Sequence, residues 1–301
     1  MADGDYERGR SREIGAIAAE LKRLAASREG RNLLRPKGEV RAAARAPVFV
    51  LNGWAASPHA WDLCGFMRPR GSAALPRLFS YVEQLDGEPE KTMERVERCI
   101  LVGWSMGGSS ALRLAARWPE KIVGLVLIAA TPRMMEEKES GWKGMSPRRL
   151  EALRYGLVMT KGMGVFGVPE GKPNPYLADE PANLERGLKY LLETDLRADL
   201  ERVFVGGGMG LLPGQQADGK KQQAYNNKMC ECRSLAVHIF QSERDGIVRP
   251  ENAAYLQRVF PQASVHLVPG AEHALPIFIP ELIDEAVDTC LRLAAAGQDP
   301  A

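Results

Sequence analysis

The chain has few cysteines, few histidines, little net charge and no long apolar run, and each shortage closes off a class of function. Its five cysteines, Cys64, Cys99, Cys230, Cys232 and Cys290, are an odd number scattered over 301 residues. A secreted disulfide framework would need an even, closely spaced set. Cys230 and Cys232 have no second Cys/His pair near them at a zinc-like spacing, so all five read as ordinary reduced thiols. A formal charge of +2 demands neither nucleic acid nor an anionic membrane surface as a partner and leaves room only for local basic patches. The longest apolar stretches, such as residues 122–130, fall well short of the roughly 20 residues that a helical span requires. The N-terminus is charged and lacks the basic-then-apolar pattern of a leader. No nucleic acid and no membrane is therefore expected as a partner, and the default location is cytoplasmic. No feature fixes an oligomeric state.

What is present is a composition that is 45% hydrophobic and 26% charged, which fits a globular protein with one large domain. Residues 1–45 form an N-terminal extension rich in Arg, Ala and Glu. There Ile14, Ile17, Leu21 and Leu24 mark one face of an amphipathic helix. From residue 46 the pattern changes. Short Val/Ile/Leu-rich runs at 47–51, 78–82, 100–104, 122–130, 235–241 and 263–268 alternate with helical patterns. Such alternation predicts an α/β fold: a mostly parallel central sheet with helices on both faces. Between about residues 131 and 234 the alternation breaks into helical stretches joined by Gly/Pro-rich connections, the mark of a cap inserted between two strands. Its residues 213–228 are polar enough for a surface excursion.

Residues 100–108 read Ile-Leu-Val-Gly-Trp-Ser-Met-Gly-Gly, and the helical pattern from Ser109 to Trp118 is stopped by Pro119. This is the strand, Gly-x-Ser-x-Gly turn and helix of a nucleophile elbow, with Ser105 as nucleophile. A serine hydroxyl needs a base, and the candidates are His59, His238, His266 and His273. His238 and His266 fall inside predicted strands and read as packed or hydrogen-bonded core residues. His273 follows the last strand on a loop that can carry its imidazole over the sheet edge, and it is the candidate base. The base needs an acid to hold its tautomer. Asp245, just past the strand ending at Gln241, is the candidate, with Glu243 as its nearest competitor. The chain order Ser105, Asp245, His273 is that of an α/β-hydrolase. Oxyanion donors are expected from the backbone amides of Met106, which follows the nucleophile, and Trp54, in the loop after the first strand. This chemistry calls for no metal and no organic cofactor.

At these residues the sequence resembles the pimeloyl-acyl-carrier-protein methyl ester esterases (BioH-like) among the α/β-hydrolases. The resemblance spans roughly residues 47–293. Leu51-Asn52-Gly53-Trp54 resembles that family's oxyanion loop, and residues 103–108 resemble its elbow. Residues 128–133 with 141–145 are similar to the start of its cap. Residues 187–197, Gly-Leu-Lys-Tyr-Leu-Leu-Glu-Thr-Asp-Leu-Arg, are similar to the cap's return segment and are the most discriminating match. The resemblance implies removal of a methyl group from a pimeloyl ester on acyl carrier protein, with Ser105, Asp245 and His273 as triad and Trp54 and Met106 on the oxyanion side of the substrate. Asn52 departs from the pattern, which usually has histidine before Gly-Trp. The stretch from Val82 to Cys99 is short, the loop at 206–228 is unusual, and residues 1–45 have no counterpart.

The elbow and triad do not name the leaving group, so a general short-chain carboxylesterase or thioesterase is the rival enzyme. A noncatalytic ligand-binding protein of the same fold is the rival from another class. Leu153, Leu157, Val158, Met159, Val165 and Phe166 are candidates to shape an acyl tunnel. Arg148, Arg149, Arg154, Arg186, Lys189 and Arg197 are candidates to meet an acidic carrier protein.

Overall fold

The computed structural model describes residues 46–69, 75–160, 176, 179–205 and 235–296. The extension read at 1–45 and the excursion at 213–228 lie outside the described residues. Among the described residues six parallel strands form one sheet: β1 (Val48–Leu51), β2 (Arg77–Phe79), β3 (Cys99–Trp104), β4 (Ile122–Ile128), β5 (Ala236–Ser242) and β6 (Ser264–Val268), in the order β2-β1-β3-β4-β5-β6. β3 lies in the interior of the sheet and every one of its residues is buried, which is why it reads as an uninterrupted apolar run.

Side chains alternate between two cores. Val50, Ile100, Val102, Val126 and Ile128 face one way, into a cluster with Ile283, Val287 and Cys290 of α9 (Pro280–Ala296). Leu51, Leu101, Leu125, Leu127 and Ile239 face the other way. They meet Ala111, Leu112 and Ala115 of α3 (Met106–Arg117) and Leu256 and Val259 of α7 (Glu251–Val259). The other helices are α1 (Tyr81–Leu85), α2 (Glu88–Arg95), α4 (Pro147–Thr160), α5 (Pro181–Glu193), α6 (Arg197–Leu200) and α8 (Leu275–Phe278). No described helix is long and apolar enough to cross a membrane.

The strand expected at 78–82 ends at Phe79, and the next residues turn into α1. Ser80 is the cause. Its hydroxyl accepts from the Glu83 amide at 3.2 Å, and the Glu83 carboxylate accepts from the Ser80 amide at 2.7 Å. This reciprocal capping box starts a helix despite the β-branched Val82. Cys64, Cys99 and Cys290 are free and buried. Burial raises all three thiols, Cys99 and Cys290 to about 12, so the nucleophilic thiolate is suppressed.

His238 and His266 stand on β5 and β6, half-buried, with rings stacked 5.9 Å apart. His266 also stacks on Phe240 at 4.5 Å. Burial pushes both imidazoles below their ordinary value, and His266 adds to the effect on His238. A histidine with a lowered folded pKa binds fewer protons folded than unfolded, so its full stability holds above about pH 6.5 and drains as pH falls below that. Melting curves from about pH 7 to pH 5 are expected to show a falling Tm. His238→Phe, which keeps a flat ring against His266, is expected to make that fall shallower. An unchanged acid slope in the variant would remove the pair as its source.

Candidate active site

Ser105 sits at the sharp turn between β3 and α3 with φ +56°, ψ −119°, a region that L-residues rarely occupy. The flanking glycines make the turn possible. A Cβ on Gly107 would stand 2.7 Å from the Asn52 carbonyl oxygen and closer still to that of Leu51. One on Gly103 would meet the α-carbon of Gly108 at 2.8 Å. Only hydrogen fits at either place. The Ser105 amide is tied to the Ile128 carbonyl at 2.9 Å, which holds the turn against β4. Because Ser105 itself takes the place before the first helical residue, α3 begins at Met106, earlier than the apolar pattern from Ser109 indicates.

Of the four histidines the structure brings His273 to Ser105. His273 Nε2 lies 2.8 Å from Ser105 Oγ, and Nδ1 lies 2.8 Å from Asp245 Oδ2. All three residues are buried. His59 instead pairs with Asp62 at the surface. The His273 backbone is held by Trp104, whose indole N–H donates to the His273 carbonyl at 3.0 Å. The loop before it is held by Ser242, whose hydroxyl donates to the Ala271 carbonyl.

Asp245 is fixed from its other side. Its Oδ1 accepts from the amides of Ile247 and Val248 at 2.8 and 2.9 Å. The side-chain amide of Gln241 adds contacts to Asp245 Oδ2 at 3.4 Å and the Val248 carbonyl at 3.1 Å. These bonds keep the carboxylate aimed at the imidazole. Glu243, the competitor, is exposed and forms no hydrogen bond or ion pair with His273. Gln241 escaped the sequence reading because a glutamine at a strand end carries no motif.

The amides of Trp54 and Met106 donate no hydrogen bond to another described residue, which leaves both available to an oxyanion. Met106 is fully buried. Asn52, the departure from the histidine pattern, is completely enclosed. Its Oδ1 accepts from the Trp61 indole at 3.0 Å, its Nδ2 donates to the Ala56 carbonyl at 2.9 Å, and its own carbonyl accepts from Gln84 at 2.9 Å. It braces the loop from within. Beside Ser105 a narrow slot of about 20 Å³ is lined by Gly53, Trp54, Met134, Met145, Leu150 and Leu153, among others. Among the described residues no group of three or more His, Cys, Asp or Glu is placed to hold a metal ion.

The alpha/beta hydrolase family model matches residues 48–286. The chain belongs to the alpha/beta hydrolase family. As an alpha/beta hydrolase it is 25% identical over 264 residues to the pimeloyl-acyl-carrier-protein methyl ester esterase of Nitrosospira multiformis, covering 75% of this chain and 87% of that one. It is 25% identical over 273 residues to the enzyme of the same name from Nitrosomonas europaea, covering 78% and 91%. The resemblance read from the oxyanion loop, the elbow and the cap segments thus extends along most of both chains. The fold is shared with the bromoperoxidase structure from Bacillus anthracis, with TM-score 0.56 and 18% identity over 83% of this alpha/beta hydrolase and 93% of that protein.

The structure bears on two of the sequence expectations for the segment after β4. Met159 is 63% exposed, so it lines no tunnel, whereas Leu153 does face the slot. The side chains of Leu157 and Val158, and all of Val165 and Phe166, lie outside the described residues. Four of the six basic residues form ion pairs with neighbours. Arg154 pairs with Glu151 and Glu185, Arg186 with Asp86, Lys189 with Glu193, and Arg197 with Asp195 and Glu137. Arg197 and Arg133 together hold the Asp195 carboxyl down at about 2, tying residues 133–137 to 195–197. Arg148 and Arg149 are exposed and form no ion pair with another described residue.

Proposed function

We propose that this alpha/beta hydrolase is a serine carboxylic ester hydrolase that demethylates a pimeloyl methyl ester carried on acyl carrier protein, the reaction that serves biotin synthesis. The observation that carries the reading is the unbroken relay Ser105–His273–Asp245, with both linking distances at 2.8 Å. The two relatives that bear the name of this activity support the substrate. A cytoplasmic location fits it.

In the proposed mechanism Ser105 Oγ attacks the ester carbonyl carbon while His273 Nε2 takes the hydroxyl proton. Negative charge builds on the former carbonyl oxygen, where the Trp54 and Met106 amides receive it. Collapse of the tetrahedral adduct breaks the bond to methoxide, which leaves as methanol with the proton from His273. Water then enters, gives a proton to His273 and attacks the acyl-enzyme. A second collapse returns the proton to Ser105 and releases the free carboxylate. Asp245 stays ionised throughout and stabilises the imidazolium.

Residues 131–234 act in this reading as a cap, with Met134, Met145, Leu150, Leu153 and Leu191 supplying an apolar wall for the acyl chain. Of the six basic candidates, Arg148 and Arg149 at the start of α4 are the two without a described ion-pair partner, and this reading gives them to an acidic carrier. Purified protein is to be assayed on short and medium methyl esters, free and on acyl carrier protein. Preference for the carrier-borne pimeloyl ester is the expected result. Equal kcat/KM on all of them would return the chain to a general carboxylesterase.

Charge reversal at Arg148 and Arg149 to Glu is expected to raise KM for the carrier-borne ester and flatten its dependence on salt. A small neutral ester gains nothing from such steering and is expected to be turned over as before. Equal loss on both substrates would mean damaged packing in α4, and no loss on either would remove the pair from the docking surface.

A further inference from the structure

We propose that helix α5 sets the position of the Trp54 amide, with the Trp54 indole as the link and Gly187 as the residue that makes room for it. This rests on the reading of Ser105 as nucleophile and of the Trp54 amide as an oxyanion donor. Trp54 is buried, and its indole N–H donates to the Leu184 carbonyl on α5 at 3.1 Å. Three residues further along the helix, Gly187 is buried against the same indole. A Cβ there would stand 2.6 Å from Trp54 Nε1 and closer still to Cδ1. Glycine is a poor helix former, and Gly187 does not have the positive φ that would call for it. Close approach of the indole is the reason for a glycine inside α5.

The loop that carries the amide needs an outside hold. Ala55, the next residue, is fully buried and has φ +52°, a conformation that persists only where the surroundings impose it. Asn52 braces the loop on its inner side through Ala56 and Trp61. On its outer side the loop meets Tyr176, which bridges to Ala56, and α5 through the indole. The helix is in turn moored to the sheet domain near α1. The Tyr81 hydroxyl bonds the Asp179 carboxylate, and Arg186 pairs with Asp86. An oxyanion donor works only within a few tenths of an ångström of its place. The seat of α5 against Trp54 therefore governs the oxyanion hole, and Gly187 is a positioning residue that touches no substrate.

The test uses the full chain and a small neutral ester. Gly187→Ala is expected to lower kcat by about tenfold or more while KM changes by less than about twofold, because the donor matters most in the transition state. A trifluoromethyl ketone, which adds to Ser105 as an oxyanion, is expected to lose affinity by the same factor as kcat/KM. In a Trp54→Leu background the ring is gone, and adding Gly187→Ala is expected to cost nothing further. Wild-type kcat in Gly187→Ala overturns the proposal, and so does an undiminished loss in the Trp54→Leu background. If Gly187→Ala does not fold, Trp54→Phe decides the matter: it keeps a ring and loses the N–H. A kcat within about twofold of wild type in that variant also overturns the proposal. Ser105→Ala run alongside separates the two readings, since full activity there removes the hydrolase mechanism itself.

Discussion

Ser105→Ala is expected to give a folded protein whose ester hydrolysis is lower by about four to six powers of ten. The substitution removes only the hydroxyl. The turn survives because its shape is imposed by the Ser105 amide bond to Ile128 and by the close backbone approach at Gly103 and Gly107, none of which needs the side chain. The loss is in chemistry: with no Oγ at 2.8 Å from His273 Nε2, the imidazole has no nucleophile to deprotonate. Residues of such a relay act as a unit, so His273→Ala added to Ser105→Ala is expected to cost little more. The measurement is kcat on a nitrophenyl ester, with protein purified from an esterase-free background and circular dichroism as the folding control. Turnover within tenfold of wild type would sink the assignment of Ser105.

Asp245→Asn is expected to lower kcat by about four powers of ten with little change in KM. The buried carboxylate accepts on both oxygens, from the Ile247 and Val248 amides on one and from His273 Nδ1 on the other. Asparagine keeps one acceptor, and the two backbone amides claim it. Its NH2 then faces Nδ1, and the imidazole must turn Nδ1 into an acceptor, which places its proton on Nε2. A protonated Nε2 cannot take the proton of Ser105. Glu243→Gln is the matched control and is expected to keep kcat within about twofold, because that side chain is exposed and forms no hydrogen bond or ion pair with His273. The reverse ranking of the two variants would reassign the acid.

The parts of the fold that were legible in the sequence rest on local chemistry. Apolar runs mark β1, β3, β4 and β5 because a parallel sheet covered on both faces buries all of β1 and β3 and most of β4 and β5. The elbow at Ser105 is legible because a turn so tight tolerates only glycine at Gly103 and Gly107. The Ser80 capping box is equally local and outweighs the β-branched Val82 two residues on. Asp245 and His273 are legible as candidates from their places after strands, since strand ends in such a sheet gather at one edge.

What only the tertiary structure decided lies in pairs far apart in the chain. The sequence offers Arg154, Arg186, Lys189 and Arg197 as candidates to meet an acidic carrier, whereas packing sets each beside a carboxylate, Arg186 beside Asp86 at a separation of 100 residues. The rings of His238 and His266 stack because β5 and β6 are neighbours in register, which periodicity within either strand cannot tell. Gln241 and Asn52 brace the site through hydrogen bonds whose partners no motif names. Gly187 reads in sequence as a weak point in a helix and in space as the floor beneath the Trp54 indole, 130 residues away from Leu184 along the chain. Periodicity, capping and turn chemistry are short-range and can be read from neighbours. Close approach and charge pairing across the chain follow from how the elements pack, and the sequence by itself carries them only as residues without a stated partner.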